Sequence, residues 1–372
     1  MNQHLLFTVA CAVLPFFLAA ESTQDYFDCE EQSEWALSEE PEYMRTPFEY
    51  SPQFFDLHDL KQDFVIQTKR INLSGFPCAF NASIIDWNGF LLMSFRTYSE
   101  NGSTNNIGLV LLDQDCNPVG EPQLIAMPFT DDYCFTKRQD PRLIQSNGHL
   151  YLVYNNHLKT VTDREIRRML VAELFFDGRQ FYAEQSNIFL DFEGESPAKT
   201  EKNWVPFDYD NTLLLSYGVN PHQVLQPILG TNTCQTIATS RFLSDWQWGA
   251  LRGGTQALKI GDEYLAFFHS SRNLPSLHSN GKVMLHYFMG AYTFSAEPPF
   301  TITKVSPDPI IGDHFYDGPM YKTWKPLRAV FPCGMVVQGD TIWVSYGKQD
   351  HEVWVAKIDK QQLLNSLVPV NP

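Results

Sequence analysis

Residues 140–154 read DPRLIQSNGHLYLVY, two apolar runs joined by an Asn-Gly pair at residues 147–148. This arrangement, with β-branched and aromatic residues on both sides of Asn-Gly, is typical of a β-hairpin. In an antiparallel pair the start of the first strand and the end of the second lie at the same end. We therefore expect Asp140 and Arg142 to lie beside the polar residues 155–157, which follow the second strand.

The same pattern of strand, turn and strand occurs five times along the chain. The long spacing of the copies suits propeller blades, each a four-stranded sheet. The predicted fold class is therefore all-β, a five-bladed β-propeller, and a two-sheet sandwich is the alternative. A short helix is expected near residues 361–367. The five turns lie at Gly89, Gly148, Asn211, Gly261 and Gly339.

Composition limits the class of protein. Of 372 residues, 44% are hydrophobic and 19% are charged, which is sufficient for a core and too little charge for a disordered chain. Most of the net charge of −16 falls in residues 21–60, where Arg45 is the sole Lys or Arg. Because no run of Lys or Arg occurs, we do not expect nucleic acid as a partner.

The N-terminus predicts export. An apolar stretch at residues 5–18 has the length of a signal-peptide core and is short for a membrane span. The predicted organisation is a signal peptide at 1–20, an acidic lead-in at 21–60 and the propeller at 61–372. The protein would then be secreted or periplasmic, in an extracytoplasmic compartment, with membrane attachment only if the segment stays uncleaved.

Six cysteines remain after removal of the predicted signal peptide. In an exported chain they allow up to three disulfides, and their pairing stays open. No cysteine has the CxxC spacing of a zinc site. Cys134 and Cys333 each precede or open a strand, where ordinary buried thiols are also expected.

Polar residues occupy equivalent places in the five copies. If the copies are blades, these residues converge on one mouth of the central channel, and such a ring is costly unless it binds something polar. Residues at the first strands are Asn81, Asp140, Lys202, Asn203, Arg252 and Arg328. Residues after the second strands are Arg96, Asn155, His157, Asn220, His222, His269, Lys348 and Asp350.

Asp140 is the candidate general acid of this ring. A carboxyl group near arginines is normally ionised, so it keeps a proton only in a dry site or beside another carboxylate. An inverting glycosidase has a second carboxyl group about 6.5–9.5 Å away. Candidates for it are Asp350, Glu201 and Asp317, in that order. No phosphate loop, nucleotide motif or metal-ligand set is present, so we predict no cofactor and no metal.

Six motifs occur in order along the chain: RQDPR at 138–142, EKNW at 201–204, NPH at 220–222, FH at 268–269, VFPCG at 330–334 and SYGKQD at 345–350. Together they resemble the β-mannoside phosphorylases and related glycosidases of glycoside hydrolase family 130, over about residues 75–358. The resemblance implies a five-bladed propeller and an enzyme that breaks, or in close relatives makes, β-linked mannosides with inversion.

The resemblance also implies residue roles. Asp140 would be the proton donor, and Asp350 would hold the mannosyl unit as well as being the first candidate for the second carboxylate. Asn81 and Arg96 would bind the same sugar. The residues implied around the sugar or phosphate pocket are Arg142, Lys202, Asn203, His222 and His269.

This chain departs from the phosphorylases at residues 220–221, where Asn-Pro replaces the usual Arg-Pro. Loss of a guanidinium weakens a phosphate site. An exported enzyme would also lose the sugar phosphate it makes. We therefore expect hydrolysis or mannosyl transfer rather than phosphorolysis, with an oligosaccharide or glycan as substrate and possible use of inorganic phosphate.

Two other functions stay open from the sequence. One is a non-catalytic carbohydrate-binding propeller, which needs no second carboxylate near Asp140. The other is a propeller scaffold that binds another protein through residues 21–60.

Overall fold

The computed structural model describes residues 54–99, 104–126, 134–159, 165–184, 188–192 and 200–371. These residues form β-strands, one α-helix, α1 (Lys360–Ser366), and 3₁₀ turns at Leu57–Leu60 and Leu277–Ser279. The all-β class and the C-terminal helix are thus confirmed. The predicted signal peptide and most of the acidic lead-in lie outside the described residues. Within the described ranges, no helix has the length and hydrophobicity needed to span a membrane.

Each of the five predicted turns joins two antiparallel strands. At Asn147 and Gly148 both φ angles are positive, 51° and 75°, as a two-residue type I′ turn requires. In chain order the strands are β1 (Val65–Ile71), β2 (Phe80–Trp87), β3 (Phe90–Tyr98), β4 (Asn105–Leu112), β5 (Gln123–Leu124), β6 (Cys134–Ser146), β7 (His149–Lys159), β8 (Glu165–Phe176), β9 (Phe181–Ala183), β10 (Ile188–Phe192), β11 (Val205–Tyr209), β12 (Thr212–Val219), β13 (His222–Pro227), β14 (Thr233–Ser240), β15 (Arg252–Gly253), β16 (Leu258–Ile260), β17 (Glu263–Leu274), β18 (Met284–Ser295), β19 (Ile302–Val305), β20 (Leu327–Arg328), β21 (Val330–Gln338), β22 (Thr341–Lys348), β23 (Glu352–Asp359) and β24 (Val368–Pro369).

The hairpins extend into five antiparallel units: β2–β5, β6–β9 with β10, β11–β14, β15–β19, and β21–β23 completed by β1. In the fifth unit β1 comes from the start of the described chain and pairs with β23, close to the C-terminus. Strand pairing gathers the units into three sheets. The described strands form no single closed sheet, and closure into a five-bladed propeller stays a prediction.

Five buried apolar clusters lie between consecutive units, and the last of them joins the fifth unit to the first. Met93 of β3 and Trp343 of β22, for example, belong to one cluster although they are far apart in sequence. The core is therefore divided among the spaces between neighbouring sheets.

Polar contacts join the first strands of different units. Gln256, just before β16, donates through Nε2 to the carbonyls of Ile84 (3.1 Å) and Met335 (2.7 Å). A Cβ at Gly334 would lie 2.3 Å from the backbone nitrogen of Ile84, so only glycine fits there. The first strands of the first, fourth and fifth units therefore meet in a common central region.

The cysteines divide into two kinds. Cys78 is disulfide-bonded, whereas Cys116 and Cys333 are buried and form no disulfide. The upper limit of three disulfides is therefore not reached. Cys333 is a buried thiol, as predicted, and the side chain of Cys134 lies outside the described residues. Burial raises the pKa of Cys116 to about 12, so this thiol stays neutral.

Candidate active site

Asp140 lies at a bulge in β6, where the pairing with β7 shifts between Gln139 and Arg142. Its φ is 53°, in the left-handed region that Asp and Asn enter more readily than other non-glycine residues. Asn81 has a φ of 48° at the equivalent bulge of β2. The same distortion thus recurs in the first strands of the first two units, where the sequence predicted equivalent polar positions.

Three side chains donate hydrogen bonds to the Asp140 carboxylate. Asn81 Nδ2 lies 2.8 Å and Arg96 NH1 lies 3.3 Å from Oδ1, and Asn155 Nδ2 lies 3.5 Å from Oδ2. Arg96 is oriented by a second bond, from NH2 to Asn105 Oδ1 at 2.9 Å. The register of the hairpin therefore brings Asp140 and Asn155 together as predicted, and the neighbouring unit adds Asn81 and Arg96.

These donors decide the protonation state of Asp140, which is only 8% exposed. Burial is the largest single influence and by itself raises the pKa of the carboxyl group. The opposing influences outweigh it, so the pKa lies below its ordinary value. They come from the charges of Arg96, Arg142 and Lys202 and from the hydrogen bond of Asn81. In the ligand-free protein Asp140 is therefore an anion at neutral pH, as expected for a carboxyl group near arginines.

Asp350 is the second carboxylate of the site. Its φ is also left-handed, 52°, and its Oδ2 accepts a hydrogen bond from Trp324 Nε1 at 3.2 Å. Poor hydration raises the pKa of Asp350, the negative charge of Asp140 adds to this effect, and Arg96 opposes it. Asp140 and Asp350 thus interact electrostatically and have pKa values shifted in opposite directions.

Arg142 is fully buried, and its guanidinium donates hydrogen bonds to backbone carbonyls rather than to a carboxylate. Its Nε donates to the carbonyl of Gly254, and NH1 donates to the carbonyl of Asp140 at 3.1 Å. Arg142 therefore ties the second unit to the fourth, and it influences the Asp140 carboxylate through its charge.

Three cations flank the two carboxylates. The pKa of Lys202 is lowered, first by poor hydration of its amine and then by the charges of Arg167 and Arg252, while Asp140 and Asp350 act in the opposite direction. A lysine whose pKa is lowered by two neighbouring guanidinium groups marks a suitable site for an anion.

His269 and Asn203 border this cationic group. His269 is buried, donates through Nδ1 to the Gly253 carbonyl (3.0 Å), and lies opposite Arg252 in the β15–β17 pair. Burial lowers the pKa of His269 well below its usual value, and the charge of Arg252 adds to the effect, so the imidazole is neutral. Asn203 is buried, and its side-chain oxygen has no hydrogen-bond partner among the described residues.

His222 is not part of this group. It begins β13, the third strand of its unit, and its Nδ1 lies 2.7 Å from the Phe300 carbonyl. Its ring contacts Phe294, and burial lowers its pKa to about 4. The predicted position of His222 at the pocket is not supported by these contacts, because a third strand lies further from the first strands that carry Asn81 and Asp140.

The other two candidates for the second carboxylate are engaged elsewhere. Glu201 accepts hydrogen bonds from Trp204 Nε1 (3.1 Å) and Tyr217 OH (3.4 Å). Asp317 lies among histidines, 3.5 Å from His58 Nε2. Of the three candidates, Asp350 is the one that interacts with Asp140.

Sequence reasoning missed two residues of the site, Trp324 and Arg167. Trp324 is 66% exposed although its indole bonds Asp350. It falls in the irregular segment between β19 and β21, where no repeat marks a position. Arg167 lies in β8, a strand outside the recurring hairpin. An exposed tryptophan inside an irregular loop was the available signal for Trp324.

Comparisons with known proteins agree with the motifs. A family model described as β-1,4-mannooligosaccharide phosphorylase, of glycoside hydrolase family 130, matches residues 60–368. None of the curated proteins matches the chain. Among solved structures, β-1,2-mannobiose phosphorylase from Listeria innocua is similar with a TM-score of 0.54 and 16% identity, over 86% of this chain and 98% of that one.

Two further solved structures share the fold. One is described as a family 130 glycoside hydrolase that targets β-1,2-mannosidic linkages in Candida mannan (TM-score 0.53, 12% identity, 88% of this chain and 95% of that one). The other is a GDP-mannose-dependent mannosyltransferase from Leishmania mexicana (TM-score 0.50, 13% identity, 79% and 90%). At these identities the likeness establishes the fold alone.

Proposed function

The chain belongs to the β-1,4-mannooligosaccharide phosphorylase family, glycoside hydrolase family 130, and we propose that it cleaves β-linked mannosides with inversion, using Asp140 as general acid. The family makes it an enzyme of mannoside phosphorolysis or hydrolysis. The observation that carries the finer proposal is the presence of two interacting carboxylates in one site, Asp140 and Asp350. In the ligand-free protein their pKa shifts favour the reverse roles, because the group with the raised pKa is the natural acid, and the proposal therefore requires substrate binding to raise the pKa of Asp140.

Substrate binding supplies the proton affinity that Asp140 lacks in the free protein. Burial already acts upward on its pKa more strongly than any single opposing influence. A bound mannoside removes more water from the carboxyl group and gives Arg96 hydroxyl groups to bind. Both changes raise the pKa of Asp140 towards the value that a general acid needs.

Asp350 then acts as the base that activates the attacking nucleophile. In an inverting reaction the base faces the opposite side of the sugar from the acid. Asn81 and Arg96 bind the mannosyl unit beside Asp140, and Asn203 and His269 border the side of the incoming group. The buried side-chain oxygen of Asn203, which no described residue hydrogen-bonds, is suited to accept a hydrogen bond from a sugar hydroxyl.

Water or a sugar hydroxyl is the preferred acceptor. Asn220, which stands where phosphorylases tend to have arginine, donates its amide to the Phe242 carbonyl at 3.0 Å and so offers no charge to phosphate. Phosphorolysis is the second candidate, because Lys202, Arg167 and Arg252 still form an anion-suitable group beside Asp140. A pure sugar-binding protein is disfavoured because Asp350 supplies the second carboxylate that catalysis needs.

The five units form a five-bladed propeller in this proposal. The support is the order of the apolar clusters, each between consecutive units with the last between the fifth and the first. Completion of the fifth unit by β1 joins the start and the end of the described β-structure in one sheet, which is a device that closes a ring.

Secretion or an extracytoplasmic location remains part of the proposal. The disulfide at Cys78 supports it, since disulfides persist in oxidising compartments. The substrate would then be an extracellular oligosaccharide or glycan.

The test is incubation of the purified protein with β-1,2- and β-1,4-mannobiose, each with and without phosphate. Free mannose in both conditions is the expected result. Mannose 1-phosphate formed only with phosphate would establish the second candidate and contradict the preferred acceptor. Binding of mannobiose without any product would refute the catalytic proposal.

A further inference from the structure

A cluster of histidine and aspartate side chains lies outside the candidate active site. Asp56 caps the 3₁₀ turn that contains His58, and His278 lies in the second 3₁₀ turn. Asp56 Oδ1 is 3.1 Å from His278 Nε2 and 4.0 Å from His58 Nδ1. One ligand atom from each residue lies within 4.8 Å of the others.

A second carboxylate, Asp317, faces the opposite nitrogens of the same two rings. Its Oδ1 lies 3.5 Å from His58 Nε2 and 3.7 Å from His278 Nδ1. Both imidazoles thus stand between two aspartates. A neutral imidazole has a single N–H, so one nitrogen that faces a carboxylate carries a lone pair. If the N–H groups face Asp317, two lone pairs face the Asp56 carboxylate, and a cation between them would remove the repulsion.

We propose that Asp56, His58 and His278 bind a divalent transition-metal ion of the zinc type, and that Asp317 orients both imidazoles from behind. Nitrogen and carboxylate oxygen are ligands that Zn²⁺ prefers, and bonds of about 2.0–2.1 Å place tetrahedral ligands about 3.3 Å apart. The two separations from Asp56 lie on either side of that value. A ligating histidine usually donates its other N–H to a carboxylate, which is the part Asp317 supplies.

The cluster is held in place by surrounding hydrogen bonds. Arg328, expected from the sequence at the sugar site, donates instead to the His278 carbonyl through Nε and to the Gly318 carbonyl through NH1 at 2.9 Å. This side chain fixes the backbone at His278 and next to Asp317. Asp56 is fixed by the backbone N–H of His58 at 2.9 Å.

The ion would join distant parts of the chain. Asp56 and His58 come from the end of the lead-in, whereas His278 follows β17 and Asp317 lies between β19 and β21. One backbone bond, Leu277 N to the Phe55 carbonyl at 3.1 Å, already connects the lead-in to the His278 turn. Metal binding would therefore fasten residues 54–60 to the body. The two carboxylates balance the charge of a divalent ion. This site was not predicted from the sequence, because residues 56, 58, 278 and 317 are not spaced as in any metal-binding motif.

The proposal is tested by titrating the chelator-treated full chain with Zn²⁺ in a calorimeter. We expect one equivalent to bind and His278→Ala to weaken binding about 100-fold or more. Asp317→Asn should weaken it about 10- to 100-fold, as second partners of ligands do. The control is His149→Ala, which removes an exposed histidine paired with Glu173 at 2.6 Å and should leave the affinity unchanged.

Co²⁺ absorption provides a readout independent of folding losses in the variants. Intense visible bands on the wild-type protein, weaker in Asp317→Asn and lost in His278→Ala, would support a site of low coordination number. Absence of Zn²⁺ binding by the wild type would overturn the proposal. Binding that survives in His278→Ala would also overturn it, because the ion would then be held elsewhere, such as by the acidic lead-in.

Discussion

Asp140 and Asp350 have the same side chain and the same left-handed backbone, with φ values of 53° and 52°, yet their surroundings differ. Asp140 accepts hydrogen bonds from three side chains of two neighbouring units. Asp350 accepts one from the exposed Trp324. The charges of Arg96, Arg142 and Lys202 and the Asn81 hydrogen bond outweigh burial at Asp140, whereas burial prevails at Asp350, and this difference separates the two pKa values.

The largest expected effect is on turnover. Asp140→Asn removes the proton donor and should lower kcat for mannobiose about 10²- to 10⁴-fold. Substrate affinity should change little, because Arg96 and Asn81 remain. Steady-state kinetics with a folding check by circular dichroism measures this. Asp177→Asn is the control, since that aspartate lies in an exposed turn. Turnover retained by Asp140→Asn would show that Asp140 is not the proton donor.

Asp140→Asn and Asp350→Asn should change the free energy of unfolding at pH 7 in opposite directions. The pKa of Asp140 is lowered from 3.8, so its contribution to stability is present above that value and is lost as pH falls through the lowered pKa. Asp140→Asn also places an amide group against the donors, and should cost about 1–3 kcal/mol at pH 7.

For Asp350 the expected pH dependence of the contribution to stability is the opposite. Its pKa is raised from 3.8, so its contribution is full below that value and is lost as pH rises through the raised pKa. Asp350→Asn should therefore increase the free energy of unfolding at pH 7 and have little effect at pH 3.5. Urea unfolding at both pH values tests the pair. Equal losses in the two variants at pH 7 would show that the two sites do not differ electrostatically.

Trp324→Phe should have the smallest effect. It keeps an aromatic ring and removes the N–H that stabilises the Asp350 anion, so the pKa of Asp350 should rise further. The acidic limb of the kcat/KM profile should move to higher pH by a fraction of a unit. Trp248→Phe is the matched control, because the Trp248 indole likewise donates to an aspartate, Asp308, at 3.4 Å. An identical shift in both variants would mean that the Trp324–Asp350 bond does not tune the base.

The sequence pattern predicted the structural features that depend on residues close to one another in the chain. The turns, the hairpins and the meeting of Asp140 with Asn155 all follow from alternation and Asn-Gly chemistry. Contacts between units do not follow from it. The sequence could not show that Arg142 bonds the Gly254 carbonyl, because that partner belongs to another unit.

Residues at equivalent positions of the repeat do not all lie at the same site. His222 and Arg328 occupy predicted ring positions, but His222 lies against Phe294 and the Phe300 carbonyl, and Arg328 lies at the His278 turn. Strand order within a unit and the course of long connections decide these outcomes. Neither is encoded in the alternation of residues along a single strand.

In the proposed reaction Asp140 donates the proton and Asp350 activates the nucleophile. The most direct measurement compares Asp140→Asn and Asp350→Asn on aryl β-mannosides whose leaving groups range from strongly to weakly basic. A weakly basic leaving group departs without protonation, so Asp140→Asn should recover most activity on it, whereas Asp350→Asn should stay impaired on every substrate. Recovery in Asp350→Asn instead, with Asp140→Asn impaired throughout, would contradict the claim and exchange the two roles.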